Sequence, residues 1–169
     1  MKNVVLIGFM GVGKGSVARA MMQHSKMMVL DTDDIIESLE NRTVKKIFAD
    51  KGEEYFRTLE RKIGRWLRKE VTGTIISTGG GFFKVPALKK IGTVVLLNAS
   101  FEAIHERIIM HPNGAKKLKK RPLFADIEKA KALYNERQQQ YLKVADMVID
   151  VTDKEIDVIA KEILKKVKK

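Results

Sequence analysis

Gly8-Phe9-Met10-Gly11-Val12-Gly13-Lys14 follows an apolar run, Val4–Ile7, and precedes a stretch with apolar residues at 17, 18, 21 and 22. This is G-x-x-x-x-G-K between a strand and a helix, the context in which it binds phosphate. Glycines let the backbone curl so that its N–H groups converge on an anion, and the helix start adds partial positive charge. Gly11, Val12, Gly13, Gly15 and Ser16 would line the phosphates, and Lys14 would reach the outer ones. The plain alternative is a glycine-rich turn. The pattern breaks at Gly15, where a Ser or Thr hydroxyl usually ligates Mg²⁺. Ser16 comes one place later, about 100° further round the helix, and suits a phosphate contact better.

Asp31-Thr32-Asp33-Asp34 follows a second apolar run, Met28–Leu30. In an extended segment Asp31 and Asp33 point to one side, at the carboxyl end of a strand, where ligands sit in open α/β sheets. One carboxylate could hold Mg²⁺ through water and the other accept a proton from a substrate hydroxyl. Helix capping ahead of Ile35-Ile36 competes, above all for Asp34. Further along stand Arg57, the triplet Gly79-Gly80-Gly81 and Arg137. Guanidinium grips carboxylate with a bidentate fork, and glycines let backbone approach a ring closely. Against this, Arg57 could pair with Glu53 four residues back, the triplet could be a plain turn, and Arg137 could pair with acidic neighbours. The irregular stretch His111–Phe124 carries Lys116, Lys117, Lys119, Lys120 and Arg121 and reads as a basic loop.

Five short apolar runs must position these groups: Val4–Ile7, Met28–Leu30, Thr74–Ser77, Val94–Leu97 and Met147–Ile149. They are apolar on both faces, as buried parallel strands should be. Helical patterns alternate with them, at Val17–Met22, Glu53–Lys69, Phe101–Met110, Asp126–Val144 and Lys154–Val167. Glu53–Lys69 carries a stripe of Tyr55, Phe56, Leu59, Ile63, Trp66 and Leu67, with Arg57, Arg61 and Arg65 expected opposite it. Alternation predicts an α/β fold with a parallel sheet in one domain. With 169 residues, 44% hydrophobic and 32% charged, the chain is neither disordered nor membrane-spanning in composition. The absence of cysteine excludes disulfides, thiolate metal sites and a cysteine nucleophile. His24, His105 and His111 show no metal-ligand spacing and read as surface residues. A formal charge of +12 favours anionic partners. The N-terminal apolar run is too short and too glycine-broken for a targeting signal, so a cytoplasmic location is expected. The lysines at 165, 166, 168 and 169 read as a solvated helix end.

In order along the chain, GFMGVGKGS, DTD at 31–33, FR at 56–57, STGGG at 77–81, RPL at 121–123 and NER ending at Arg137 resemble the shikimate kinase family. The resemblance implies a P-loop kinase fold whose five-stranded parallel sheet runs 2-3-1-4-5. It implies one domain over 1–169, a substrate-binding section near 32–70 and a mobile lid at 111–125. ATP and Mg²⁺ would be used, and the 3-hydroxyl of shikimate phosphorylated. Asp33 resembles the carboxylate that binds the ring hydroxyls and acts as base. Arg57, Gly79, Gly80, Gly81 and Arg137 resemble the substrate set, with the arginines on the carboxylate. Arg121 resembles the lid arginine at the transferring phosphate, and Asp31 the residue that holds Mg²⁺ through water. The expected partners are shikimate and ATP, with no nucleic acid or membrane, for a monomeric chain.

Three rivals remain at this level. Another small-molecule kinase of the same branch would share the phosphate loop but not the arginine and glycine set. A weakened nucleotide-binding or regulatory module would rest on Gly15. Nucleic-acid binding would rest on the net charge and the Arg57, Arg61, Arg65 row, but the chain lacks an aromatic stacking platform.

Overall fold

A computed structural model describes residues 2–111 and 122–167. Arg121, most of the basic loop and the last two lysines therefore lie outside the described residues. All five expected strands form: β1 (Asn3–Ile7), β2 (Met28–Asp31), β3 (Thr74–Ser77), β4 (Gly92–Asn98) and β5 (Met147–Asp150). They make one sheet in the order β2-β3-β1-β4-β5, and every pairing is parallel. The helices are α1 (Lys14–Gln23), α2 (Thr32–Glu40), α3 (Val44–Glu70), α4 (Phe101–Met110), α5 (Ile127–Val144) and α6 (Ile156–Val167).

Burial separates the centre of the sheet from its edges. β1 and β3 are buried throughout, and β4 nearly so. The two edge strands depart from the expectation of apolar cover on both faces. Met28 is 68% exposed on β2, and Val148 is 44% exposed on β5. An edge strand has a neighbour on one side only, so its apolar pattern does not report cover on both faces. The central strands are locked together at their entry end by Asn3. Its Nδ2 donates to the carbonyls of Val71 (2.7 Å) and Ile91 (2.9 Å), and its Oδ1 accepts from the N–H of Thr74 (3.0 Å). A buried amide satisfied on both its ends is a specific staple.

Helix α3 starts earlier than the periodicity predicts and breaks at Gly52, whose φ is 79° and ψ 175°. Thr43 caps its start, accepting from the N–H of Lys46. The buried stripe is narrower than the sequence suggests: Phe56, Leu59, Ile63 and Leu67 are buried, but Tyr55 and Trp66 are exposed. The expected exposed arginine row also fails, because Arg57 turns inward while Arg65 stays in solvent. The 3.6-residue period places Arg57 within a turn of the buried face, where Glu60 draws its guanidinium in.

Candidate active site

The phosphate loop forms between β1 and α1. Gly11 and Gly13 take φ of 86° and 104°, left-handed backbone that disfavours any side chain. Phe9 anchors the loop. It is buried, with Phe101, Phe124 and Tyr134 packed edge-on around its ring at 6.4, 6.3 and 5.4 Å. Lys14 is buried too, and its Nζ donates to the carbonyls of Gly8 (2.7 Å) and Phe9 (3.1 Å). The ammonium thus folds back onto carbonyls of its own loop. Gly15 has ordinary helical space around it. A Cβ there would lie 3.4 Å from Arg19 Nη1 and 3.9 Å from Ser77 Oγ, so the backbone does not demand glycine.

The acidic turn differs from the extended segment expected. β2 ends at Asp31, and α2 begins at Thr32. The helix cap is Asp31, not Asp33 or Asp34: its Oδ1 accepts from the N–H groups of Asp33 (2.9 Å) and Asp34 (3.4 Å). Asp33 and Asp34 occupy the first turn, where negative charge favours the helix dipole. Asp33 faces the triplet, and a Cβ on Gly79 would meet its Oδ1 at 2.7 Å. That oxygen is sealed from solvent with no hydrogen-bond partner among the described residues. Burial, then the charges of Asp31 and Glu60, push the Asp33 carboxyl up to about 7, against the pull of Lys14.

The triplet is the floor to which the other groups attach. A side chain on Gly81 would collide with the Arg57 guanidinium, and one on Gly80 would press on Arg137 Nη1 at 3.4 Å. Arg57 bonds Glu53 through Nε and Nη2 (3.2 and 3.0 Å), and Nη1 bonds Glu60 at 2.6 Å. Both the surface pairing and the inward role are therefore present in one residue. Glu60 is buried, 2% exposed, and burial raises its pKa although Arg57 opposes the shift. Burial alone would lower the pKa of Arg57, but Glu60 and then Glu53 outweigh that and raise it. Arg137 Nη1 donates to the Gly80 carbonyl at 3.3 Å, and no acidic neighbour on its helix holds it. Among the described residues, three buried side-chain atoms lack a partner: Asp33 Oδ1, Glu60 Oε1 and Arg137 Nε. Asp33 and Arg137 lie against the triplet, and Glu60 is tied to it through Arg57.

The phosphate loop thus stands beside a cluster of basic and acidic side chains gathered on the triplet. A profile of the shikimate kinase family matches residues 10–168. The chain belongs to the shikimate kinase family. Its relatives include the shikimate kinase of Helicobacter hepaticus, 39% identical over 89% of this chain and 87% of that one. That of Sulfurihydrogenibium is 38% identical over 100% of this chain and 99% of its own. Among solved structures, the shikimate kinase of Acinetobacter baumannii in complex with shikimate superposes with a TM-score of 0.85. It is 28% identical and covers 99% of this chain and 93% of that chain. The chain is thus a kinase of this family with the P-loop kinase fold, and ATP is its phosphoryl donor. A non-catalytic module built around Gly15 is not favoured.

Several residues of this shikimate kinase site had no individual signal in the sequence. Glu60 sits in a helix of alternating charges, and nothing in the spacing marks it as the buried partner of Arg57. Tyr141 reads as a core aromatic. Arg107 on α4 carries no such signal either; it donates to the carbonyls of Val12 (3.1 Å) and Val151 (2.7 Å). It thereby ties the phosphate loop to the residue that follows β5. Of the histidines, His24 pairs with Asp157, and His105 stacks on Phe101 and Phe124. Among the described residues no helix is long and apolar enough to cross a membrane.

Proposed function

We propose that this chain transfers the γ-phosphoryl group of ATP to the 3-hydroxyl of shikimate, with the residue roles that follow. The observation that carries the reading is the convergence of Asp33, Arg57, Glu60 and Arg137 on one glycine triplet, with three buried polar atoms left unsatisfied. Unpaired buried polar atoms cost about 1–3 kcal/mol each. A ligand rich in hydroxyl and carboxylate oxygens would relieve that cost. Arg57 and Arg137 hold the shikimate carboxylate, and Asp33 and the backbone of Gly79–Gly81 hold the ring.

Phosphoryl transfer asks a protein chiefly for alignment and charge neutralisation. Lys14 and the N–H groups of Gly11 to Ser16 hold the phosphates. Lys14 exchanges the carbonyls of Gly8 and Phe9 for phosphate oxygens. Asp33 accepts the proton of the attacking hydroxyl as the new O–P bond forms and the bond to ADP breaks. A carboxyl near 7 is matched to that task at neutral pH. Thr152–Lys154, after β5, would form one wall of the adenine pocket. Arg121, outside the described residues, would take the transferring phosphate, as the resemblance implies.

The residues fit Mg²⁺ held largely by phosphate and water. Among the described residues no group of three or more His, Cys, Asp or Glu could hold a metal. Both cap bonds of Asp31 fall on Oδ1, which leaves Oδ2 to hold a metal-bound water. Mg²⁺ retains several waters and needs few protein ligands, so Gly15 weakens the site without removing it. When bound, the ion neutralises charge on the β- and γ-phosphates. We place the working form as a cytoplasmic monomer whose partners are its two substrates.

A coupled assay of ADP release tests the reading. ADP should appear only when shikimate is added. Release at the same rate without shikimate, or none with it, would overturn the reading.

A further inference from the structure

Tyr141 is buried on α5, one turn beyond Arg137, and is 1% exposed. Its ring packs edge-on against Phe83 at 4.7 Å. Its hydroxyl donates to the Gly80 carbonyl at 2.5 Å, the same oxygen that accepts from Arg137 Nη1 at 3.3 Å. One half-buried carbonyl thus takes two donors of unequal quality. The phenol bond is short, while the arginine bond is long and outside the usual N–H···O range. Burial pushes the phenol up to about 12, against the pull of Arg137, so it stays protonated and always donates.

We infer that Tyr141 is a positioning residue that satisfies the Gly80 carbonyl so that Arg137 is free to bind substrate carboxylate. A backbone carbonyl has two lone pairs, and a buried one left without a donor is costly. With the phenol in place, Arg137 gives up its weak bond to Gly80 without orphaning the oxygen. Without the hydroxyl, Gly80 would keep Arg137 for itself, and each binding event would have to break that bond. The phenol also fixes the peptide between Gly80 and Gly81, and with it the direction of the N–H of Gly81. The other α5 anchors support a fixed placement of this helix. Tyr134 Oη donates to the Ala99 carbonyl at 2.7 Å, and Gln138 Nε2 to Asn98 Oδ1 at 2.5 Å. Neither touches the triplet, so Tyr141 alone couples the helix anchor to Arg137.

This inference rests on the proposed role of Arg137, and the experiment separates the two. Tyr141→Phe retains the ring against Phe83 and removes only the donor. Shikimate and ATP affinities would be measured by calorimetry for the parent, Tyr141→Phe, Arg137→Ala and the double variant. Tyr141→Phe should weaken shikimate binding about tenfold and leave ATP binding within twofold. In the Arg137→Ala background the same change should cost less than threefold, because the two residues act through one oxygen. If Arg137→Ala weakens shikimate but Tyr141→Phe does not, the inference fails and the reading of Arg137 stands. If Arg137→Ala leaves shikimate affinity unchanged, both fail. Equal losses for shikimate and ATP, with a lowered melting temperature, would make Tyr141 a packing residue only and also overturn the inference.

Discussion

The two halves of the active site are built on opposite plans. The phosphate loop comes from seven consecutive residues, and its lysine is internally occupied: Lys14 lies on the carbonyls of Gly8 and Phe9. The proposed shikimate half comes from four distant segments, around Asp33, Arg57 to Glu60, the glycine triplet and Arg137. It leaves three buried atoms unpaired. A loop that binds through backbone N–H groups can be set by local conformation. A cleft that must recognise a particular arrangement of hydroxyls and a carboxylate has to hold side chains in place, at a cost in unsatisfied polarity. Stability and recognition therefore conflict in the second half and hardly at all in the first.

The largest test of that contrast is Asp33→Asn. The amide keeps the shape but cannot accept the proton, so turnover should fall about a hundredfold or more. The same variant should be more stable at high pH. The folded pKa of Asp33, about 7, stands above its ordinary value of 3.8. The native state thus holds the extra proton between those limits, and the stability this gives is full below about pH 4 and lost as pH rises through 7. At pH 8 the melting temperature of Asp33→Asn should exceed that of the parent by about 4 °C or more, as thermal unfolding would record. A kcat within threefold of the parent would remove Asp33 from the chemistry.

Next come the two arginines, which should split. Arg57→Ala and Arg137→Ala should each weaken shikimate binding by about 2–5 kcal/mol, with much smaller effects on ATP. Arg57→Ala strands buried Glu60 and should also lower the melting temperature clearly. Arg137→Ala leaves no buried charge behind and should not. Calorimetry and melting curves on both variants check the split.

A smaller effect is the pH dependence. The Asp33 carboxyl must be ionised to accept a proton, so kcat/KM for shikimate should rise as pH increases through about 7 and then level. A profile flat from pH 5.5 to 8.5 would contradict an Asp33 base.

The smallest effect belongs to the self-contained half. Gly15→Ser has room at its Cβ, with Arg19 Nη1 at 3.4 Å and Ser77 Oγ at 3.9 Å. It should restore a hydroxyl ligand and raise the rate at limiting Mg²⁺ by about tenfold if about 1.4 kcal/mol of transition-state stabilisation returns. A magnesium titration at fixed ATP and shikimate reads this out. Identical half-saturation in both proteins would make Gly15 neutral.

The sequence by itself determined the strand–helix alternation, the sheet's parallel character and the phosphate loop. Each depends on residues close in the chain: apolar runs of three or four, glycines forced to positive φ, a lysine at the helix start. The ordered motifs also marked Asp33, Arg57, Gly79–Gly81 and Arg137, all of which the fold brings to one cleft. Only the tertiary structure decided what those residues do to one another. Asp31 became the cap of α2 because the strand ended two residues sooner than an extended reading of DTD allows. Arg57 turned inward because Glu60, three residues on, is buried with it. Tyr141 met Gly80 because α5 lies against the turn that follows β3, a contact between residues 61 positions apart. Glu60 and Tyr141 carry no local signal, since in sequence one is a charge among charges and the other an apolar ring. Burial changes their chemistry, and burial is a property of the whole fold.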